Sequence, residues 1–163
     1  MVYKNINARS IDKQCRVALH DLHVRLKGVS PTNTLHNHFV RYAVIVCSGA
    51  LEKAFKCIIA DYVTNGANAQ LCEYIDRNVR QSSKNPRLDE IKKLLGEFDS
   101  DWLSAYKAIV SQVSQRSKDA LKSIVDNRNI VAHGGAIGAS FYDIARYYYS
   151  ARIVVGKLED VLV

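Results

Sequence analysis

The sequence predicts an all-α fold, a single helical bundle over residues 1–163, and three observations lead there. Only 2 Pro and 8 Gly punctuate 163 residues, too few turn formers for a sandwich or barrel. Apolar residues recur at helical rather than alternating spacing along most of the chain. Hydrophobic residues make up 48% and charged residues 24%, the balance of a globular domain whose core needs no metal or disulfide staple. The expected architecture is a pair of long central antiparallel helices with shorter ones packed around them.

Ile11, Cys15, Ala18, Leu19, Leu22 and Leu26 define a first helix that stops at Gly28. Ser30 is placed to cap the next helix, with Pro31 suited to a first helical position. That helix is expected over residues 34–63, apolar nearly all round at 42–51 and therefore buried, and closed by Asn65-Gly66. Leu71, Tyr74, Ile75 and Val79 mark a third helix, followed by a polar loop at 81–86. Leu88, Ile91, Leu94, Leu95 and Phe98 mark a fourth, and Trp102, Tyr106, Ile109 and Val113 a fifth. A sixth helix runs from about Ser117 to His133 and ends at Gly134-Gly135. Ser140 and Asp143 form a capping-box pattern for a last helix reaching Val163.

The net charge of +7 points either to a polyanionic partner such as RNA or to a basic, soluble surface. Cys15, Cys47, Cys57 and Cys72 lack CxxC pairing and read as small hydrophobes in a reducing compartment. The apolar run at 42–51 is about half of the ~20 residues a membrane span requires. With no apolar leader, a cytoplasmic protein with no membrane partner is expected. His20 and His23 lie near each other on the first helix, whereas His36 and His38 face apart. No carboxylate or cysteine completes a tetrahedral set, so neither metal nor cofactor is expected. Gly134-Gly135-Ala136-Ile137-Gly138 lacks the Lys-Ser/Thr of a P-loop and reads as a helix stop.

The sixth helix carries the residues that composition does not explain. Leu121, Ile124, Val125 and Ala132 share one side, and Arg128 falls in the middle of them. An arginine on a core-facing stripe is costly unless its charge is paired or faces a cleft. It is either half of a buried ion pair, with Glu52 as candidate partner, or part of a site. Lys122, Asp126, Asn129 and His133 form a separate polar stripe, and the i,i+4 spacing lets Asn129 orient the imidazole. Arg128 and His133 are five residues apart, about 140° around a regular helix. Fraying of the last turn would bring them together. A two-fold dimer across the Arg128 face would do so more fully, placing two copies of each residue around one cleft.

The run Asp126-Asn127-Arg128-Asn129-Ile130-Val131-Ala132-His133-Gly134 resembles the Arg-x(4–6)-His signature of the HEPN superfamily. Ser48-Gly49-Ala50-Leu51-Glu52, Asn85-Pro86-Arg87 with the following 91–98 stretch, and Tyr147-Tyr148-Tyr149 are similar to the RiboL-PSP branch of that superfamily. The likeness covers the chain from about Ser30 onward. It implies a metal-independent endoribonuclease, usually dimeric, in toxin–antitoxin, RNA-processing or antiviral systems. His133 would move a proton at the ribose 2′-hydroxyl or the leaving 5′-oxygen, and Arg128 would stabilise phosphorane charge. The products would be 2′,3′-cyclic phosphate and 5′-hydroxyl ends. Asn129 matches the polar residue beside the arginine, and Asp126 and Glu52 are supporting candidates. Lys122, Arg77, Arg80, Tyr142, Arg146 and Tyr149 are candidate RNA contacts, by charge or by base stacking. The basic region of Arg77, Arg80, Lys84, Arg87, Lys92 and Lys93 could track an RNA backbone, but reads first as a solvated face. The alternative function is an inactive HEPN module that binds RNA, nucleotide or a protein partner, and an antitoxin or sensor protein is a candidate partner in either case.

Overall fold

The computed structural model describes residues 2–162. Seven α-helices follow in order: α1 Ile6–Leu26, α2 Thr34–Thr64, α3 Ala69–Ile75, α4 Leu88–Phe98, α5 Ser100–Ser111, α6 Gln115–Ala132 and α7 Phe141–Gly156. A π-helical turn, Asp76–Arg80, extends α3, and a 3-10 turn, Lys157–Asp160, extends α7. No strand occurs among the described residues, as the apolar spacing predicts. Short polar side chains start six of the helices: Asn5, Asn33, Asn68, Asp99, Ser114 and Ser140 each accept a first-turn amide. The Ser140–Asp143 capping box forms as expected.

The sequence misplaces one cap. Helix α2 begins at Thr34, as expected, but its cap is Asn33 rather than Ser30. Ser30 Oγ is taken up by Thr32 Oγ1 at 2.8 Å in a local turn, while Asn33 Oδ1 accepts from the Leu35 amide at 2.8 Å. Helix α7 also ends earlier than expected, at Gly156. A Cβ there would lie 2.9 Å from the Val2 carbonyl oxygen, so the N-terminal segment crosses where only glycine fits. Val163 lies outside the described residues.

Helix α2 is the central element, packed against α1, α6 and α7, with α6 and α7 forming a second hairpin. Its Ala43, Val44, Cys47, Leu51, Phe55 and Ile59 are buried in one apolar cluster that draws on every helix. Cys15 and Cys47 are buried within it, and Cys57 and Cys72 are half-buried; all four are free thiols. No helix among the described residues is long and apolar enough to cross a membrane.

Polar groups lock the two ends of the chain to the core. The Glu159 carboxylate accepts the backbone amides of Lys4 and Asn5 at 2.5 and 2.7 Å, holding the start of α1 against the last turn. Asp61 of α2 accepts from Asn5 and Asn7 at 2.9 and 2.7 Å and pairs with Arg80 of the π turn. Burial pushes the Asp61 carboxyl up, but these hydrogen bonds and the Arg80 charge outweigh it and hold it below the usual carboxylate range. Asp143 and Asp160 are held low as well, by hydrogen bonds from Ser140 and Lys157 respectively. A carboxyl whose folded value lies below its unfolded value of about 3.9 stabilises the fold above that pH and loses the contribution as pH falls through the folded value. Urea midpoints should therefore fall as pH drops below about 4. An Asp61→Asn variant should show a shallower fall.

Candidate functional site at the end of helix α6

Helix α6 changes character along its length. Leu121, Ile124 and Val125 are buried, but Asp126 to Asn129 are only half-buried, and Ile130, Ala132 and His133 are exposed. Ala132, expected on the core face, lies beyond where neighbouring helices cover α6. Arg128 thus sits at the edge of the core rather than within it. Its Nη1 donates to Asn129 Oδ1 at 3.4 Å, and among the described residues it has no ion pair with a carboxylate. The Arg128–Glu52 pair does not form. Glu52 instead pairs with the buried Lys56, four residues along α2, whose ammonium also donates to the Ser82 carbonyl.

His133 closes the helix. Its amide donates to the Asn129 carbonyl at 3.1 Å, so the last turn is not frayed and the two side chains do not converge by unwinding. The Asn129 side chain lies with Arg128, so its link to His133 runs through the backbone. Beyond His133, Gly134 donates to the Val131 carbonyl at 3.1 Å and Gly135 to the Ile130 carbonyl at 2.9 Å, the paired bonds of a Schellman stop. Gly134 has φ +75, which side-chain-bearing residues rarely adopt. A Cβ on Gly135 would come within 2.9 Å of Ile130 Cγ2. Gly134→Ala should cost about 1–2 kcal/mol and displace His133, to be read as a lowered thermal midpoint.

One residue that sequence reasoning missed organises this terminus. Arg41 of α2, half-buried, donates from Nη1 to the Gly135 carbonyl at 2.8 Å and from Nη2 to the Val131 carbonyl at 3.3 Å. It supplies a distant C-cap, adding a second donor to the Val131 carbonyl and taking up the Gly135 carbonyl just beyond the helix end. The signal was present: Arg41 precedes the apolar run at 42–51 as an uncompensated charge, the same anomaly that singles out Arg128. Next to it, Tyr42 and Ile45 of α2 are 56% and 44% exposed, and Ile130 of α6 is 39% exposed. A Cβ at Gly49 would meet nothing within 4 Å, so this side of α2 is open.

The other candidate residues are distributed unequally. Lys122 and Asp126 pair with each other on the stripe that leads to His133. Arg146 pairs with Asp143 at 2.7 Å and lies over the Tyr147 ring. Tyr142 is exposed, its ring edge-on to His23 of α1 at 5.7 Å. Tyr149 is exposed too and covers the Arg152 guanidinium at 4.9 Å. Arg77 pairs with Glu73, and Arg80 bridges Asp76 and Asp61. Asp61 is twenty residues along α2 from Arg41, about 30 Å, so Arg77 and Arg80 belong to the opposite end of the bundle from His133. Among the described residues, no group of three His, Cys, Asp or Glu side chains is placed to hold a metal ion.

Arg128 and His133 thus stand near the glycine-closed end of an internal helix in an all-helical domain. The RiboL-PSP-HEPN family profile matches residues 16–163. The chain belongs to that family. No match was found among curated proteins or among solved structures.

Proposed function

We propose that the protein is a metal-independent endoribonuclease whose site is assembled from Arg128 and His133 at a two-fold interface between copies of the chain. The observation that carries this reading is the state of the two side chains. Arg128 is a half-buried cation with no carboxylate partner among the described residues, and His133 is an exposed imidazole on a rigidly terminated helix. Both suit an anionic phosphate that arrives from outside. The ~140° between them on a closed helix, and the uncovered Tyr42, Ile45 and Ile130 beside them, favour a second copy as the other wall of the cleft.

In the reaction the ribose 2′-oxygen attacks phosphorus as a His133 imidazole accepts its proton. The bond to the 5′-oxygen breaks, and that oxygen takes up the proton that the same imidazole has just accepted. Arg128 donates to the phosphoryl oxygens as their charge grows. Asn129 holds the guanidinium, and Asp126 and Lys122 extend the polar stripe. A conserved balance of protons results, with a 2′,3′-cyclic phosphate and a 5′-hydroxyl as products. An antitoxin or sensor protein would act by covering the same face.

The test is cleavage of end-labelled RNA by purified protein in excess EDTA, with product ends identified by phosphatase sensitivity. Cyclic-phosphate ends formed without metal support the reading. RNA bound but left intact under conditions where the protein is dimeric assigns the chain to the non-catalytic members of its family.

A further inference from the structure

We propose that a groove between the first turn of α4 and the N-terminal half of α6 seats the single-stranded RNA that flanks the cleaved phosphate. This rests on the α6 terminus being the cleavage site. The groove encloses about 380 Å³, within the size range of ligand sites. Its floor is apolar, formed by Leu88, Leu121 and Val125, and Arg87, Lys92 and Lys118 stand among the polar residues of its rim.

The charges on that rim are not balanced by one another. Arg87 pairs with Asp89 at 3.1 Å and Lys122 with Asp126, while Asp119 accepts from Gln115 at 2.8 Å. Lys92 and Lys118 are half-buried, and neither has an ion pair with a carboxylate among the described residues. Lys118 reaches only the Ser111 carbonyl, at 3.4 Å. Two partly desolvated ammonium groups beside an apolar floor favour a ligand with anionic links and flat apolar faces. A single strand offers both, because its bases are free to lie on the floor while its phosphates meet the rim. A duplex offers only its phosphates.

Continuity with the site supplies the second argument. Asp126, the last groove residue, lies three residues and about 4.5 Å along α6 from Asn129, and both belong to the stripe that ends at His133. A strand cut at His133 therefore runs onto the groove without crossing another element. Lys118 stands about 22 Å back along the same helix.

The experiment measures binding with cleavage disabled. A labelled ten-nucleotide single-stranded RNA is titrated by fluorescence anisotropy against His133→Ala protein over a range of salt. Adding Lys92→Gln and Lys118→Gln should weaken affinity about 25-fold at 0.1 M salt and flatten the log–log salt slope by about 1.4, the loss of two single-strand phosphate contacts. A charge-matched control, Lys13→Gln on α1 with Lys27→Gln at its C-cap, should leave both quantities nearly unchanged. No loss in the groove variant, an equal loss in the control, or an equal loss for duplex RNA would overturn the groove. In the background with His133 intact, the groove variant should cut a dinucleotide normally and longer RNA poorly. A protein that binds through the groove yet never cleaves supports the groove and sinks the nuclease reading, so the two fail separately.

Discussion

A refolded equimolar mixture of Arg128→Ala and His133→Ala chains should cleave RNA that neither homodimer cleaves. In the proposed mechanism each substitution alone removes an interaction made in the transition state. Loss of the imidazole should cost about 10²–10⁴-fold in kcat, and loss of a phosphoryl-stabilising donor about 10²–10³-fold. If the cleft draws Arg128 from one protomer and His133 from its partner, the mixed dimer retains one intact arginine and one intact histidine facing the same phosphate. If each protomer works with its own pair, every site in the mixture lacks one member and no activity returns. Native mass spectrometry on the same sample establishes that mixed dimers have formed. Silence from a sample rich in mixed dimers would therefore refute the shared cleft. The outcome is informative because α6 is closed through His133, leaving no unwound turn to bring the two side chains together within one chain.

Replacing Asp12 by alanine should cost the fold about 3–5 kcal/mol, because it leaves the Arg152 guanidinium, only 20% exposed, without its carboxylate partner. Asp12, 7% exposed on α1, accepts from Arg152 Nη1 with both oxygens, at 3.0 and 3.2 Å. It also accepts from the Tyr148 hydroxyl at 3.0 Å and from Arg16 Nε at 3.0 Å. Burial above all pushes the Tyr148 phenol up, so it stays a proton donor to the carboxylate. Arg152 Nε is itself buried and has no hydrogen-bond partner among the described residues, so the guanidinium depends on Asp12. For a chain of this length the cost corresponds to a thermal midpoint lower by roughly 6–20 °C. A double change of Asp12→Ala with Arg152→Met should recover much of it, since removing both charges avoids the stranded one. A midpoint within 2 °C of the parent for Asp12→Ala would contradict this account of the α1–α7 contact.

What the sequence disclosed, and what it withheld, follows from the range of each interaction. Helix positions were legible because apolar spacing and short polar caps act within a few residues. Even the Ser140–Asp143 box could be read directly. Ser30 misled because two residues within one turn of each other, Ser30 and Asn33, can both cap, and the choice depends on what else Ser30 bonds. Arg128 was recognisable as an anomaly, but its surroundings were not, since the depth of cover over α6 is set by helices that the sequence does not place. Glu52 was the nearest guess for its partner; Lys56, one turn away on the same helix, takes that carboxylate instead. Arg41 escaped because its role lies 90 to 94 residues away, in the carbonyls of Val131 and Gly135. The Asp12–Arg152–Tyr148 cluster escaped for the same reason, as it joins α1 to α7.

The Arg41 bonds to the end of α6 also separate two jobs that a loop usually performs together. The backbone that fixes His133 is anchored from α2, and residues 136–139, with Ile137 and Ala139 resting on the core, carry the chain onward to the Ser140 cap. That short connection is thereby released from the burden of geometry. Insertions and deletions there are the kind of change a lineage can sample without first losing the helix end, and the rim of the site can diversify around an unchanging terminus.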